Sequence, residues 1–422
     1  MKLIYSKPFI FFILWICLLL FTFNRHIRRD PYGYTSEIYA DKAGYYVYLP
    51  ATFIYNWQGN NIPDKIAKNP GMAFENIDNY IYTKYPMGVA VMMSPFWLIN
   101  HYFIANPNDG FSFSYTMISS VASTFYVLLG LFISFACFKK YTSPIQALII
   151  TVTLFASTNL FYYTTLENGM SHSFSFFWFS LLLFVMIDIK QRSYIVTYKD
   201  ILLIGTTIGF IALIRPINCI FCLPYFLILI IQNPNAITTI KELFFTTKSI
   251  FLYLIPIIII SPQVIYYKSI STIRLPYGHE GFPYLMNPRI LKVLFAPNNG
   301  LFLYTPIALF ILLFIFINRK KSPFTIPIYV LFGLVIYTYA SWWSTELGCA
   351  FGHRSMVEFY TIIFLPLAYI ELSKKMKFIV GSIAILSILY NLKLSLSYDI
   401  CFMGSYYWDW DTYLTLLFSN IK

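Results

Sequence analysis

Long apolar segments recur along the whole chain, and they constrain the fold more than any other feature of the sequence. A helix needs roughly 20 mostly apolar residues to cross a hydrocarbon core about 30 Å thick. Only 11% of the 422 residues are charged, whereas a soluble domain has about 25%. The segments do not alternate as the strands of a membrane β-barrel do. The sequence therefore predicts an all-α, polytopic bundle of transmembrane helices.

We predict about eleven spans, at residues 8–23, 115–138, 144–164, 170–188, 200–214, 216–232, 249–268, 300–317, 324–341, 356–372 and 377–393. The first run follows Lys2 and Lys7 but precedes no small-residue cleavage site, so we expect it to remain as an anchor. The chain has no internal repeat and no soluble segment of domain size. Residues 1–422 are expected to form a single transmembrane domain.

Loop charges predict the orientation, since cytoplasmic loops are rich in Lys and Arg. If the N-terminus and the basic loops are cytoplasmic, that side holds 15 basic and four acidic residues, against 15 and 14 elsewhere. The net charge of +12 is then an orientation signal in a cell membrane protein, and nucleic acid is not an expected partner. Residues 24–114 become a first outer loop, and residues 394–422 an aromatic outer tail.

One apolar stretch, residues 85–103, breaks this count because counting it as a span would invert every later loop. We interpret it as an interfacial or re-entrant helix on the outer side. The alternative is that Lys139 and Lys140 face outward and a later segment does not cross.

The first outer loop contains two groups of candidate residues. In "EIYADKAGYYVYLP", Glu37 or Asp41 near Tyr45 could serve as a general base; the alternative is an interfacial helix with an aromatic belt and solvated acids. In "TKYPMG", Lys84 precedes an apolar run and could pair with a phosphate at headgroup depth. Snorkelling of that lysine is the simpler alternative.

Later outer connections carry further candidates. "LENGMSH" places Glu167 and His172 between two spans, where His172 could hydrogen-bond Glu167 or lie at the rim. Arg215 precedes a proline at a helix start and could reach an anionic headgroup. The weaker candidates in the loop after residue 270 are Arg274, His279, Glu280 and Arg289.

The densest polar constellation is "SWWSTELGCAFGHRSM", residues 341–356. Arg354 offers a fork suited to phosphate oxygens, Trp343 could stack on a sugar, and Glu346 and His353 add polar groups. A structural re-entrant turn is the alternative. Zinc-protease, P-loop and serine-esterase motifs are missing from the sequence.

The order of these pieces resembles the membrane glycosyltransferases of superfamily C, particularly the protein mannosyltransferases and lipid A aminoarabinose transferases. The similarity runs from about residue 8 to residue 372. It is carried by "EIYADKAGYYVYLPA", "TKYPMGVAVMMSPFWL", "LENGMSH", the "RP" helix start and "GCAFGHR". The chain departs from the family in lacking paired acids in the first outer loop, where Asp41 is followed by Lys42.

The resemblance implies transfer of a sugar from a polyprenyl-phosphate donor to a glycan, lipid or protein acceptor outside the cytoplasm, with inversion. It implies no cofactor, with a divalent metal left open. The roles it implies are a base at Asp41 or Glu37, an orienting acid at Glu167, phosphate contacts from Lys84, Arg354 and Arg215, and substrate contacts from Tyr45, His172, Trp343, Glu346 and His353.

Two other classes of protein remain open, besides an inactive homologue that acts as an assembly partner. A transporter for lipid-linked saccharide would also have many spans, although transporters place polar groups near the midplane rather than at one rim. An O-antigen polymerase or ligase would use a large late outer loop, of which residues 269–299 are a modest version.

Overall fold

A computed structural model describes residues 7–29, 37–69, 71–270, 280–399, 401–404 and 406–420. Nearly all regular structure in these ranges is helical, which confirms the predicted all-α class. A single hairpin of β1 (Glu75–Ile77) and β2 (Tyr80–Tyr82) is the exception within these ranges, with Asn76 paired to Ile81. Arg274 and His279 lie outside the described residues.

The first half of the described chain contains α1 Lys7–Arg29, α2 Ala40–Tyr46, α3 Tyr48–Phe53, α4 Asp64–Ala67, α5 Gly88–Phe103, α6 Phe113–Thr116, α7 Ile118–Lys139, α8 Pro144–Ala156, α9 Leu160–Thr165, α10 Ser171–Gln191 and α11 Tyr198–Ile214. The second half contains α12 Leu223–Ile230, α13 Ala236–Phe244, α14 Ile250–Ile270, α15 Ile290–Phe295, α16 Leu301–Tyr304, α17 Pro306–Ile317, α18 Thr325–Ala340, α19 Tyr360–Tyr369, α20 Lys374–Ser397 and α21 Trp410–Phe418. Short 3-10 turns occupy Gly59–Asn61, Pro216–Cys222, Thr247–Ser249 and Arg354–Phe359.

Among the described residues, five helices are long and apolar enough to cross a membrane: Pro8–Ile27, Phe113–Lys139, Ser171–Gln191, Thr247–Ile270 and Lys374–Ser397. Shorter apolar helices cover Pro144–Ala156, Pro216–Ile230, Pro306–Ile317 and Thr325–Ala340. The protein is therefore a helical bundle with the apolar helices of a membrane protein.

Several predicted spans are helical but interrupted, and local chemistry explains the breaks. The segment 144–164 leaves the helix after Ala156, where the hydroxyls of Ser157 and Thr158 donate to the carbonyls of Thr153 and Leu154. These bonds satisfy backbone acceptors that a helix end leaves open. The segment 300–317 breaks before Pro306, because proline disfavours helical geometry in the residue preceding it.

The central helix of the bundle is α10, which packs on α7 and α11. In its most apolar stretch 78% of residues are buried, against 11% for α1. The neighbouring α11 and α14 meet along Gly205 and Gly209, whose backbones lie against Phe251 and Pro256 of α14. Small residues spaced four apart let helices approach closely in a membrane.

Two polar regions lie at opposite ends of α10, roughly 30 Å apart for a helix of this length. At its C-terminal end Asp188 pairs with Lys140 at 2.7 Å and with Arg192 at 3.0 Å. At its N-terminal end lie Ser171 and the candidate residues. A disulfide that the sequence did not predict, Cys349–Cys401, joins the 341–356 turn to the C-terminal tail.

Candidate functional site

Asp41 and Arg354 form the ion pair around which the candidate site is built. Asp41 lies in the first turn of α2, and its Oδ2 accepts a hydrogen bond from an Arg354 terminal nitrogen at 3.0 Å. Its Oδ1 accepts a hydrogen bond from the Tyr85 hydroxyl at 2.7 Å. The Asp41 side chain is 31% exposed, against 17% for Arg354, so Asp41 is only partly buried.

The position of Asp41 follows from how α2 is held. Ala40 adopts a positive φ of 48°, and its N–H donates to the Gly71 carbonyl at 2.7 Å. Gly44 has no side chain to block the Tyr85 ring, which would lie 2.1 Å from a Cβ at that position. The ring can therefore approach α2 closely enough for its hydroxyl to reach Asp41.

Arg354 is held by the glycine turn that precedes it. Gly352 adopts a positive φ of 62°, and a Cβ there would lie 2.6 Å from Tyr304, so only glycine fits without strain. The Phe351 N–H donates to the Tyr163 hydroxyl at 2.8 Å, which fixes the turn against α9.

The pKa of Asp41 is set by opposing effects. Burial alone would raise this pKa, but the Arg354 charge and the Tyr85 hydrogen bond, with a contribution from Lys84, lower it below its ordinary value. Asp41 is therefore ionised at neutral pH. A carboxylate paired in this way becomes a stronger base when its partner is drawn to another anion.

Arg215 lies beside this pair and binds three side chains. Its guanidinium donates to Ser171 Oγ and contacts His172 Nε2, both at 3.1 Å, and donates to the Tyr339 hydroxyl at 2.8 Å. The Tyr45 hydroxyl donates to the same Ser171 Oγ at 3.3 Å. Ser171 thus links α2 to Arg215.

Tyr45 is buried close to the charges of Arg215, Asp41 and Arg354. Burial raises the pKa of its phenol, and the charges of Arg215, Asp41 and Arg354 all act on it. The predicted residues Asp41, Tyr45, Arg215 and Arg354 therefore occupy one region of the molecule.

His172 is bonded to an acid that sequence reasoning missed. Its Nδ1 lies 3.0 Å from Glu358 Oε1, and both side chains are fully buried. Because a guanidinium can only donate, Nε2 accepts from Arg215 and Nδ1 carries the proton. The suggested bond to Glu167 is not formed. The signal for Glu358 was an acid inside an apolar run, which is costly in a membrane and commonly functional.

Glu37 and Glu167 form a separate buried cluster. The Lys42 ammonium lies 3.4 Å from Glu37 and 3.5 Å from Glu167, and His26 also hydrogen-bonds Glu37. Burial would raise the pKa of Glu37, but Lys42 and then His26 lower it to about 2. The predicted acids Glu37 and Glu167 are therefore both paired with Lys42. Sequence reasoning noted Lys42 only as the residue that follows Asp41.

Lys84 lies between Asp41 and the loop that follows residue 279. Its ammonium pairs with Glu280 and lies 5.4 Å from the centre of the Tyr85 ring. Since the Lys84 charge also acts on Asp41, Lys84 borders the Asp41 pair.

The remaining predicted residues lie in the 341–356 turn. The Glu346 carboxylate accepts from Tyr407 and, at 2.9 Å, from Ser344, so it faces the C-terminal tail. Trp343 is 42% exposed. His353 is buried and bonded to Ser355, and burial lowers its pKa to about 3, which keeps it neutral.

The arrangement offers a partly exposed carboxylate next to fixed cations, a combination suited to accepting a proton while an anion is held nearby. Among the described residues, no group of three or more His, Cys, Asp or Glu side chains could hold a metal ion.

No protein-family model, curated protein or solved structure matches this chain.

Proposed function

We propose that this chain is an integral membrane glycosyltransferase. It would move a sugar from a polyprenyl-phosphate carrier to a glycan, lipid or protein acceptor on the extracytoplasmic face. The observation that supports this most is the Asp41–Arg354 pair, with Arg215 and Lys84 close by. Four segments that are distant in the sequence supply one base and three cations to one end of the bundle.

The chemistry requires each of these groups. Asp41 takes the proton of an acceptor hydroxyl or amine as that atom attacks the anomeric carbon. The bond from this carbon to the phosphate oxygen breaks, and the lipid phosphate leaves with the electron pair. Negative charge grows on that oxygen, so Arg354, Arg215 and Lys84 stabilise the transition state more than the ground state.

The Asp41–Arg354 ion pair also provides a reason why the donor should bind before Asp41 takes the proton of the acceptor. An incoming donor phosphate competes with Asp41 for Arg354. As that cation is withdrawn, the pKa of Asp41 rises and the carboxylate becomes a better proton acceptor. The base would therefore be strengthened by binding of the donor.

The other predicted residues have less direct roles in the proposed reaction. Tyr45 borders the cations and is placed to contact substrate, whereas the fully buried His172 positions Arg215. Glu167 and Glu37 act through Lys42, the neighbour of Asp41, and are positioning residues. Trp343 and Glu346 lie in the 341–356 turn, where the exposed Trp343 indole is suited to a sugar face, and the buried His353 supports that turn through Ser355.

The finer topology is part of the proposal. We assign about eleven crossings, with α5 as an interfacial or re-entrant helix and the Asp41 end facing outward. The Cys349–Cys401 disulfide supports this orientation because disulfides persist outside the reducing cytoplasm. The basic side chains Lys140 and Arg192 lie at the other end, as the positive-inside rule requires.

The test is a transfer assay with purified protein and a series of radiolabelled polyprenyl-phosphate sugars. We expect Asp41→Asn to lose transfer by about 10²- to 10⁴-fold, the usual contribution of a general base. Asp64→Asn is the matched control, since Asp64 also lies in the first turn of a helix and is exposed. Movement of labelled lipid across vesicles without transfer would instead favour a transporter.

A further inference from the structure

A cavity lies at the other end of the bundle, far from Asp41. Its volume is about 590 Å³, within the range of about 300 to 1,000 Å³ that is typical of ligand sites. Its walls come from α8, α17, α20 and the segment that ends α19. The proposed transfer reaction uses none of these residues.

The cavity lining is divided into a polar end and an apolar end. Tyr141, Thr142, Gln146 and Lys377 lie at the polar end, where α8 and α20 begin. Further along the same helices the lining is mainly apolar, with Ile150 and Ala384 among its members, and the exception Thr153 donates its hydroxyl to the Ile149 carbonyl. Gln146 to Thr153 and Lys377 to Ala384 each cover roughly 10 Å of helix. The shape suits an amphiphile with its head at the helix starts.

The polar end carries an unused hydrogen-bonding group. The Tyr141 hydroxyl oxygen is buried and has no hydrogen-bond partner among the described residues. Its ring is fixed by edge contacts with Phe324 and Tyr369. An unpaired buried hydroxyl is costly, and a ligand oxygen at this position would satisfy it.

The charge at the polar end favours an anion. Lys377 and Glu371 both line the cavity, and Lys374 and Lys375, which lie outside the lining, add two positive charges to the same first turn of α20. The excess is therefore basic. Basic pockets between transmembrane helices commonly bind anionic lipid headgroups.

The apolar end is bordered by exposed apolar side chains. Ile149 lines the cavity and is 56% exposed, and Leu148 and Val152 on the same helix are also exposed. Gly381 lines the cavity as well, and a Cβ at this position would meet nothing within 4 Å. An acyl chain entering from the bilayer could therefore lie across α8 and α20.

We propose that this cavity is a binding site for an anionic phospholipid. The headgroup phosphate lies beside Lys377 and Tyr141, and one acyl chain lies between α8 and α20 over Gly381. The bound lipid stabilises the interface between these helices and takes no part in sugar transfer.

The experiment uses the full-length protein in detergent, with dioleoyl phosphatidylglycerol and dioleoyl phosphatidylcholine as probes and native mass spectrometry as the readout. We expect one phosphatidylglycerol to remain bound and to raise the unfolding temperature, with phosphatidylcholine bound at least fivefold more weakly. Gly381→Leu fills the cavity and should abolish this single retained lipid. Gly333→Leu is the control, because Gly333 is exposed and a Cβ there also meets nothing within 4 Å.

Lys377→Gln provides a second variant should Gly381→Leu not fold. It should weaken phosphatidylglycerol retention about fivefold, the effect of one lysine near an anionic surface, and leave phosphatidylcholine unchanged. Equal retention of the two lipids by the wild type would overturn the proposal. So would retention in Gly381→Leu, or in Lys377→Gln, at the level of Gly333→Leu.

Discussion

Asp41 and Arg354 are 313 positions apart in the sequence, yet their side chains meet at 3.0 Å. The pair joins the start of α2 to the turn that follows α18, so two segments that are distant in the sequence meet at one candidate site. Both members are also held by tyrosine contacts, from Tyr85 to the acid and from Tyr163 to the turn.

Replacement of Arg354 should slow sugar transfer, because Arg354 stabilises the negative charge on the departing lipid phosphate. We expect Arg354→Gln to lower kcat/KM for the lipid donor by about 10²- to 10³-fold, the usual effect of removing a fixed electrostatic stabiliser. Arg354→Lys should lose less because it keeps the charge but not the fork. Steady-state kinetics with varied donor measure both, with Arg319→Gln as the control. An Arg354→Gln variant with wild-type kcat/KM would remove Arg354 from the mechanism.

Low pH should reduce the free energy of unfolding because Glu37 becomes protonated. Its pKa is lowered from 4.5 to about 2 in the folded protein, so its contribution is complete above about pH 5.5 and is lost as the pH falls towards 2. The contribution is of order 3 kcal/mol.

The measurement is thermal unfolding of the wild type and Glu37→Gln at pH 6.5 and pH 3.5. Glu37→Gln should unfold at lower temperature at pH 6.5, and the difference should narrow at pH 3.5. Parallel curves at the two pH values would show that Glu37 is not linked to folding.

The buried His172–Glu358 pair predicts a large loss of stability. Glu358→Ala removes the acceptor of His172 and Asn218 and leaves Arg215 without a nearby carboxylate. Leaving the largely buried Arg215 charge uncompensated costs about 3 kcal/mol or more. Asp64→Ala, at an exposed acid, should leave the free energy of unfolding within about 0.5 kcal/mol of wild type. Equal unfolding temperatures for the two variants would contradict the prediction.

The Cys349–Cys401 disulfide provides a test of orientation. Both cysteines are exposed, so a membrane-impermeant reductant added to intact cells should open the bond. Two additional thiols should then react with an impermeant maleimide, and Cys349→Ser with Cys401→Ser should abolish this signal. A signal that needs permeabilised membranes would place the Asp41 end inside the cell. Loss of the bond should also destabilise the protein by about 2–4 kcal/mol.

The sequence predicted what depends on local composition. Apolar length predicted helices, and polar residues beside apolar runs pointed to Asp41, Tyr45, Arg215 and Arg354, which the fold brings together. Pairing between distant segments was less predictable. Lys42 was passed over because Glu167, one of its two carboxylate partners, comes from a distant part of the sequence.

Glu358 was missed for a different reason. It was counted within an apolar span, and its partner His172 is 186 positions away. The disulfide shows the same limit, since spacing alone does not say which of six cysteines pair. Breaks such as the one after Ala156 depend on hydroxyls bonding to the preceding turn, which an apolar average does not register.

The adjacency of Asp41 and Lys42 has a mechanical consequence. Consecutive residues on a helix point about 100° apart, so seven-residue α2 sends one side chain to Arg354 and the next to Glu37 and Glu167. A slight roll of this short helix would lengthen both sets of contacts together. The contacts of Lys42 therefore fix the rotation of α2 about its axis and so the direction of the Asp41 carboxylate. Loosening the Lys42 contacts would also loosen the contact between Asp41 and Arg354.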